Sequence, residues 1–192
     1  MNKEMKEWEE KKGIKFLERI GIKSGQKILD FGARVGHYSI PAATIVGVAG
    51  KVYALDKNND SLNELKRKAE KQKLENITLI KTNGNFETGL ENNSVDIILA
   101  YDVLHLINDR KKLYKEIFRV LQKNGLFSVY PKHNKLDNPK KNFANLNPKD
   151  IIKEIKNHNF YFEKEYCGLI SHDEFINKGC VLNFRKKRIL SE

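Results

Sequence analysis

Short apolar runs alternate with longer segments of helical periodicity along the first two thirds of the chain. The run at 95–100, VDIILA, is typical of a central strand of a parallel sheet. The pattern predicts five strands before residue 131, at 27–31, 51–55, 77–80, 95–100 and 126–130. Two further strands are predicted at 160–166 and 179–185, with no helix between them.

The segments between the strands carry apolar residues at intervals of three and four, which predicts amphipathic helices. Gly13 weakens the middle of the first helix. Asn108 and Asn147 are expected to cap the last two helices, and Pro148 suits a first helical position. The predicted helices are 3–20, 36–46, 61–73, 109–122 and 148–157.

The order of these elements predicts the fold class. Strand and helix alternate between residues 27 and 130, which indicates a doubly wound parallel sheet with right-handed crossovers. We expect one α/β domain over 1–192: a Rossmann-like, mostly parallel sheet with a C-terminal antiparallel hairpin and helices on both faces. Its predicted parts are an N-terminal helix at 1–22, a core at 27–130, a lid loop or solvated connector at 131–147, and a C-terminal helix and hairpin at 148–192.

The composition narrows the class of protein. The 192 residues include 36 Lys and Arg against 25 Asp and Glu, a formal net charge of +11. The lysines are spread among Glu and Asn in every segment, which favours solvated helix faces over a nucleic-acid or membrane surface. Cys167 and Cys180 have no zinc-binding spacing, so we expect inert core thiols, no metal and a cytoplasmic location. The charged N-terminus is unlike a signal peptide, and no apolar run is long enough for a membrane helix.

The stretch LDFGARVGHYS, at 29–39, connects the first strand to the next helix through two glycines. In doubly wound sheets, loops at this edge bind ligands. A dinucleotide would place its pyrophosphate here, and Asp30 would repel that group. S-adenosylmethionine (SAM) carries an ammonium and a sulfonium and no phosphate. Asp30, followed by Gly32 and Gly36, therefore favours SAM over NAD as the ligand.

A second carboxylate fits the same ligand. Asp56 ends the second predicted strand, about 20 residues after the glycine loop. A carboxylate at this place can accept hydrogen bonds from both ribose hydroxyls of an adenosine. Capping of the following helix is the structural alternative.

Three stretches of the chain, within about residues 15–130, resemble the class I SAM-dependent methyltransferases, and most of all the small-molecule branch that includes the ubiquinone/menaquinone methyltransferases. They are KILDFGARVGHYSIPAA, GKVYALDKN and NGNFETGLENNSVDIILAYDVLHLINDRKKLYKEIFRVLQKNGLFSV. They are similar to the family's first loop, to its second strand with the ribose carboxylate, and to the stretch from the adenine loop through strands four and five. The cofactor contacts that the resemblance implies are Asp30, Gly32, Gly36, Asp56, Lys57, Asn85, Phe86 and Tyr101.

Two residues depart from the family's pattern. Arg34 takes the place of the middle glycine of the first loop, where some catechol-type methyltransferases also carry a bulky residue. Its guanidinium either points to solvent or pairs with the carboxylate of SAM. Asn85 stands where the family often has Asp, and its amide can still recognise adenine.

The candidates for proton transfer follow the fourth strand, in AYDVLHLI: Tyr101, Asp102 and His105. A histidine ordinarily titrates near neutral pH, so His105 is a candidate to accept a proton, although a polar residue on a helix explains it as well. His37 and His133 lie near the predicted site. Since methyl transfer is an in-line displacement, the protein supplies alignment and a dry site, and a general base is not required in every case.

The motifs that the chain lacks exclude several classes of methyl acceptor but do not identify the acceptor. The chain has no Asn/Asp-Pro-Pro-Tyr/Phe after the fourth strand, no Pro-Cys nucleophile and too few cysteines for arsenite. We expect a small-molecule acceptor, no membrane span and a homodimer as the common assembly. Two alternatives stay open: an RNA methyltransferase, favoured by the basic charge and the tail at 185–188, and a SAM-binding protein without catalysis, favoured by Arg34 and Asn85.

Overall fold

A computed structural model of the chain describes residues 3–84 and 86–187. It contains a seven-stranded sheet with the strand order β3-β2-β1-β4-β5-β7-β6. Strands β1 to β5 pair in parallel, and β7 pairs antiparallel with both β5 and β6. The strands are β1 (Lys27–Phe31), β2 (Lys51–Asp56), β3 (Ile77–Lys81), β4 (Val95–Tyr101), β5 (Leu121–Tyr130), β6 (Phe160–His172) and β7 (Phe175–Lys186). This confirms the predicted fold class.

The helices fill the connections between the strands. They are α1 (Lys3–Glu7), α2 (Gly13–Ile20), α3 (Ser39–Val46), α4 (Asn59–Lys71), α5 (Arg110–Val120) and α6 (Pro148–Lys156). A π-helical turn, Trp8–Lys12, joins α1 to α2, and short 3₁₀ turns lie at Leu104–Leu106 and Lys141–Phe143. The two largest apolar clusters of the described residues form the core. One includes Leu29, Ile98 and Phe127, and the other includes Ile28, Ile97 and Leu99. Because adjacent residues of a strand point to opposite faces, both faces of the sheet are covered.

The strand order determines where a ligand can bind. β1 lies between β2 and β4. The chain runs outward from β1 through β2 to β3 and then crosses over to β4 on the other side of β1. At such a switch point the loops after neighbouring strands separate and leave a crevice at the carboxyl edge. The residues that follow β1, β2 and β4 therefore line the expected ligand site.

The N-terminal helical segment is anchored on the first loop. Trp8 is fully buried, and its indole N–H donates a hydrogen bond to the carbonyl oxygen of His37 at 2.8 Å. A Cβ atom on Gly13 would lie 2.8 Å from the Trp8 carbonyl oxygen and 3.0 Å from its ring. Gly13 thus allows the π turn and the indole to pack closely.

Several predicted boundaries differ from the observed ones. α5 begins at Arg110 because the side chain of Asp109, not that of Asn108, accepts from the Lys112 N–H at 3.2 Å. α3 begins at Ser39, three residues later than predicted, since the segment after Gly36 still belongs to the loop. The hairpin strands β6 and β7 extend to a two-residue turn, well beyond the predicted ends at 166 and 179. Cross-strand pairing continues from Phe160 to His172 without support from the rest of the sheet at its distal end.

The two cysteines correct an expectation. They form a disulfide between directly paired positions of β6 and β7. Cys167 is exposed and Cys180 is half-buried. The prediction of two inert core thiols is therefore wrong, because both residues lie in the part of the hairpin beyond its pairing with β5.

The segment 131–147 is partly packed. Residues 131–134 are buried, and Phe143 is a core residue with 1 % of its surface exposed. The side chain of Asn134 donates to the Pro131 carbonyl oxygen at 2.7 Å. A lid function of this segment stays a prediction. Within the described residues, every helix is too short or too polar to cross a lipid bilayer.

Candidate cofactor and active site

A cavity of about 510 Å³ opens at the carboxyl edge of the sheet, at the switch point beside β1. Its walls come from the loops that follow β1, β2, β3 and β4, as the topology predicts. The described residues that line it are Phe31, Gly32, Arg34, Leu55, Asp56, Lys57, Asn58, Ser61, Thr82, Gly84, Phe86, Asp102, Val103, Leu106, Ile107 and Asn108.

The first loop is tied to the end of β2. The backbone N–H of Gly32 donates to the Leu55 carbonyl oxygen at 2.8 Å, and Gly32 has a φ of +85°. A Cβ atom at Gly32 would lie 2.9 Å from Cγ2 of Val103, on the far wall of the cavity. Glycine therefore meets both the backbone conformation and the narrow space at this point.

Asp56 holds the two loops together. Its Oδ2 accepts from the Arg34 N–H and its Oδ1 from the Asn58 N–H, each at 2.8 Å. The carboxylate is 7 % exposed and lines the cavity. Since an ionised carboxylate has about four acceptor positions, Asp56 keeps capacity for two further donors such as ribose hydroxyls.

Arg34 takes an arrangement that neither sequence alternative described. Its guanidinium forms an ion pair with Asp173, in the turn between β6 and β7. The arginine side chain is about half exposed, at 51 %, and the residue has a φ of +48°. Arg34 thus connects the first loop to the tip of the hairpin.

Asp30 and Gly36 lie behind the cavity rather than among the described residues that line it. Asp30 is buried and accepts a hydrogen bond from the hydroxyl of Ser39 at 2.6 Å. Burial raises the pKa of Asp30 from its ordinary value of 3.8 to about 6. A Cβ atom on Gly36 would lie 2.3 Å from Cδ1 of Leu65, so this glycine is required for packing against α4. The cofactor contacts predicted for both residues stay predictions.

The other predicted cofactor residues divide in the same way. Lys57 and Phe86 line the cavity, and Asn85 lies outside the described residues. Tyr101 is buried and shares a hydrogen bond of 2.8 Å with Ser128. Burial raises the pKa of the Tyr101 phenol far above its ordinary range. The cofactor contact and the catalytic role predicted for Tyr101 stay predictions.

Three histidines converge on Asp102, directly after β4. The Nε2 atom of His172 lies 3.0 Å from Asp102 Oδ2. On the other carboxylate oxygen, Oδ1, His105 Nδ1 lies at 3.5 Å and His133 Nε2 at 3.6 Å. Asp102 lines the cavity, so the group adjoins the predicted cofactor site.

Burial sets the protonation of this group. It raises the pKa of Asp102 to about 7, and the nearby charge of Asp173 adds to the rise. Burial and the neighbouring His133 lower the pKa of His105 to about 4. Burial also lowers the pKa of His172. At neutral pH, His105 and His172 are therefore neutral and Asp102 is partly protonated.

Sequence reasoning brought Asp102, His105 and His133 near the site but missed His172. The predicted strand at 160–166 ended before His172, and the hairpin turn carries this residue back over the carboxyl edge of the sheet. His37 takes a different place: its Nδ1 lies 2.8 Å from Oε1 of the buried Glu9. It therefore fastens the N-terminal helical segment to the first loop.

Comparison with known proteins places this architecture in a family. The profile of a family described as a methyltransferase domain matches residues 22–189. The chain belongs to this methyltransferase family. The match confirms the predicted recognition of a class I SAM-dependent methyltransferase domain.

Several relatives are similar to parts of this methyltransferase. A sterol 24-C-methyltransferase of Aspergillus fumigatus is 36% identical over 115 residues, 58% of this chain and 29% of the relative. A demethylmenaquinone methyltransferase of Lactobacillus johnsonii is 30% identical over 115 residues, 60% of this chain and 47% of the relative. The chain spans less than half the length of these curated relatives.

Solved structures share the fold. A SAM-dependent methyltransferase from Aquifex aeolicus superposes with a TM-score of 0.74 at 21% identity, covering 93% of this chain and 92% of that one. A methyltransferase-like protein from Bacillus halodurans superposes with a TM-score of 0.72 at 14% identity, covering 92% and 99%. At these identities the likeness concerns the fold alone.

Proposed function

We propose that this protein transfers a methyl group from SAM to a small-molecule acceptor, with SAM bound in the cavity beside β1. One observation carries the proposal. Asp56 is held at the switch point by the Arg34 and Asn58 N–H groups, with acceptor capacity directed to the cavity. A carboxylate in this place suits the ribose hydroxyls of an adenosine, and the chain belongs to a family of methyltransferases.

In this proposal, different residues around the cavity contact the cofactor and exclude water. Gly32 brings the backbone of the first loop to the cavity wall, where the methionine part of the cofactor is expected, and Phe86 offers an aromatic face for adenine. Val103 and Ile107 form apolar walls that exclude water from the reacting centre. Because the sulfonium supplies the reactivity, these residues act by alignment and by desolvation.

The acceptor in this proposal is an apolar small molecule. Leu106 lines the cavity and is 43% exposed, which leaves an apolar side chain at the mouth of the site. The names of two relatives, a sterol methyltransferase and a demethylmenaquinone methyltransferase, are in line with such an acceptor.

The RNA alternative loses part of its support. In the basic tail, the ammonium of Lys186 is buried and donates to the Leu121 carbonyl oxygen at 2.6 Å, so it is engaged within the fold. Arg185 pairs with Glu163 at 3.2 Å. Arg188 lies outside the described residues.

Calorimetric titration of the whole chain tests the proposal. SAM and S-adenosylhomocysteine should each bind with one-to-one stoichiometry, and NAD should not compete with them. NAD binding that is tighter than S-adenosylhomocysteine binding would refute the cofactor assignment. A second experiment tests the acceptor. With radiolabelled SAM, more label should be transferred to a menaquinone precursor than to bulk RNA. Labelling of RNA alone would establish the alternative.

A further inference from the structure

We propose that Asp102, His105 and His133 form a site for a divalent ion of the zinc type, with one coordination position left open beside the cofactor cavity. The sequence analysis expected no metal. Yet three of the chain's five histidines meet around one carboxylate, and this grouping arises only in the fold. Asp102 follows β4, His105 lies in the next 3₁₀ turn, and His133 follows β5.

The distances between the three ligand atoms fit such an ion. Asp102 Oδ1 lies 3.5 Å from His105 Nδ1 and 3.6 Å from His133 Nε2. All three ligand atoms lie within 4.8 Å of one another. Two ligands that are each about 2.0–2.2 Å from a tetrahedral zinc ion lie about 3.3–3.6 Å apart. Small side-chain adjustments would therefore bring the three atoms to bonding distance.

Two of these atoms lack any other partner. Asp102 Oδ1 and His105 Nδ1 are buried, and within the described residues neither takes part in a hydrogen bond. The His105 side chain is only 8% exposed, so water does not readily replace the missing partner. Buried polar atoms are normally satisfied, and an ion between them would satisfy both at once.

Contacts with neighbouring groups orient the ligand side chains and leave one atom of each available to an ion. His133 Nδ1 lies 2.9 Å from the Asn138 carbonyl oxygen, which can only accept, so Nδ1 carries the proton and Nε2 keeps its lone pair. His172 Nε2 lies 3.0 Å from Asp102 Oδ2 and occupies that oxygen, leaving Oδ1 for an ion. Such contacts to the outer atoms of ligands are typical of metal sites in proteins.

Several cationic side chains oppose an ion: Arg34, Lys132 and Lys140 act on Asp102, and Lys140 and Lys141 act on His105. The ammonium of Lys140 lies 3.5 Å from His133 Nε2. Lys140 is exposed, so its long side chain can move into solvent when an ion binds. His172 Nε2 also lies 3.2 Å from His133 Nε2, so this contact would have to give way together with that of Lys140 when an ion binds.

The open position indicates the class of ligand. Zinc sites with three protein ligands and one free position bind water or substrate there. Because Asp102 lines the cofactor cavity, the free position suits an acceptor with a hydroxyl group. The bound hydroxyl would release its proton to solvent, its oxygen would bond to the methyl carbon, and the carbon–sulfur electron pair would return to sulfur. This last step rests on the proposed function, whereas ion binding does not.

The test uses the whole chain, stripped of metal with a chelator and titrated with Zn²⁺ alone by calorimetry. One equivalent should bind, and Co²⁺ in its place should show the intense visible absorption of a tetrahedral site. His105→Gln and His133→Gln should each weaken Zn²⁺ binding at least about tenfold. His158→Gln is the matched control, because His158 Nδ1 bonds to the Glu154 carbonyl oxygen on α6, and it should bind like wild type.

Lys140→Met is expected to change the affinity for Zn²⁺ in the opposite direction. It removes the competing ammonium from an exposed position, so it should fold normally and bind Zn²⁺ more tightly than wild type. Absence of stoichiometric binding would overturn the site, as would equal affinity in wild type, His105→Gln and Lys140→Met. Because SAM is absent from this titration, its failure leaves the SAM titration standing, and a failed SAM titration leaves the metal site standing.

Discussion

At the scale of single residues, Asp56 combines a predicted contact with ribose and an observed contact with the backbone of the first loop, and the sequence suggested only the first. It was expected to bind ribose, with helix capping as the alternative. In the fold, Asn58 caps α4 with its own side chain, and Asp56 holds the backbone of the first loop. The carboxylate that is proposed to bind the ribose therefore also shapes the first loop.

Replacement of this carboxylate tests the cofactor site. Asp56→Asn should weaken S-adenosylhomocysteine binding by roughly 1.5–3 kcal/mol, because one acceptor oxygen becomes a donor. Calorimetry measures the change. Asp60→Asn is the control, since Asp60 is an exposed residue in the first turn of the neighbouring helix α4. Equal affinities of wild type and Asp56→Asn, in a folded variant, would contradict the assignment.

Asp30 gives the stability a pH dependence. Its pKa lies at about 6 in the folded chain, above the ordinary 3.8, so the folded state holds the proton more tightly than the unfolded state. The free energy of unfolding therefore falls as pH rises from about 4 to about 6. Asp30→Asn keeps an acceptor for the Ser39 hydroxyl and removes this loss. Above pH 6 the variant should be more stable than wild type by up to about 3 kcal/mol.

Denaturant unfolding at pH 4 and at pH 7 measures this difference. The two proteins should be closest in stability at pH 4 and should differ most at pH 7. A constant difference between them across this range would show that Asp30 does not titrate as its burial implies.

Arg34 is expected to be dispensable for cofactor binding. Arg34→Gly loses an exposed ion pair with Asp173, worth at most about 1 kcal/mol, and relieves a left-handed backbone conformation. Stability should change by less than about 1 kcal/mol, since these effects oppose each other. The affinity for SAM should stay the same or rise. A tenfold loss of affinity would show instead that Arg34 turns to the carboxylate of SAM on binding.

At the scale of elements, the β6–β7 hairpin is the part of the fold that depends most on its own contacts. Strand β7 pairs with β5 only from Leu182 to Arg185, and the distal part of the hairpin extends beyond that contact. The Cys167–Cys180 disulfide joins its strands, and the Tyr38 hydroxyl donates to the Ser171 carbonyl oxygen at 2.6 Å near the tip. These contacts keep His172 above the site.

Reduction of the disulfide should loosen this element selectively. A closed loop of about 15 residues contributes about 3 kcal/mol of local stability in the chain-entropy account. Hydrogen exchange measured by mass spectrometry should therefore become faster over residues 166–181 on addition of a reductant. Peptides from β4 serve as the internal control and should stay protected. Uniform acceleration in β4 and in the hairpin would show that the disulfide supports the whole fold.

At the scale of the whole molecule, the basic charge is spread over the chain and partly used inside the fold. Lys68 pairs with the buried Glu9 at 2.9 Å, and the buried Lys186 bonds to Asn93 at 2.7 Å. The net charge of +11 therefore says less about a nucleic-acid partner than its size suggests. The homodimer and the cytoplasmic location stay predictions.

Ligand binding at the switch point should stabilise the entire domain. At a concentration of 100 times its dissociation constant, S-adenosylhomocysteine should add about 2.7 kcal/mol to the free energy of unfolding. For a chain of this size, that corresponds to a rise in Tm of roughly 5–10 °C. Thermal unfolding followed by circular dichroism measures the shift, with NAD as the comparison ligand. An equal rise with NAD would contradict SAM selectivity.

The sequence by itself determined the parallel core and the edge of the sheet at which the cavity opens. Apolar runs with helical segments between them fit a doubly wound sheet, because strands buried on both faces need continuous apolar sequence. Gly32 and Asp56 were found because they directly follow strands, and the carboxyl ends of parallel strands meet at one edge.

Only the tertiary structure decided which distant side chains meet. His172 lies 70 residues after Asp102, and its approach depends on the length of a hairpin that continues beyond its pairing with β5. The strand pattern ended early there because exposed, alternating residues such as those near Cys167 carry a weak hydrophobic signal. The disulfide, the Arg34–Asp173 pair and the contact of His172 with Asp102 all depend on that hairpin. Their contacts follow from three-dimensional packing, which local periodicity does not encode.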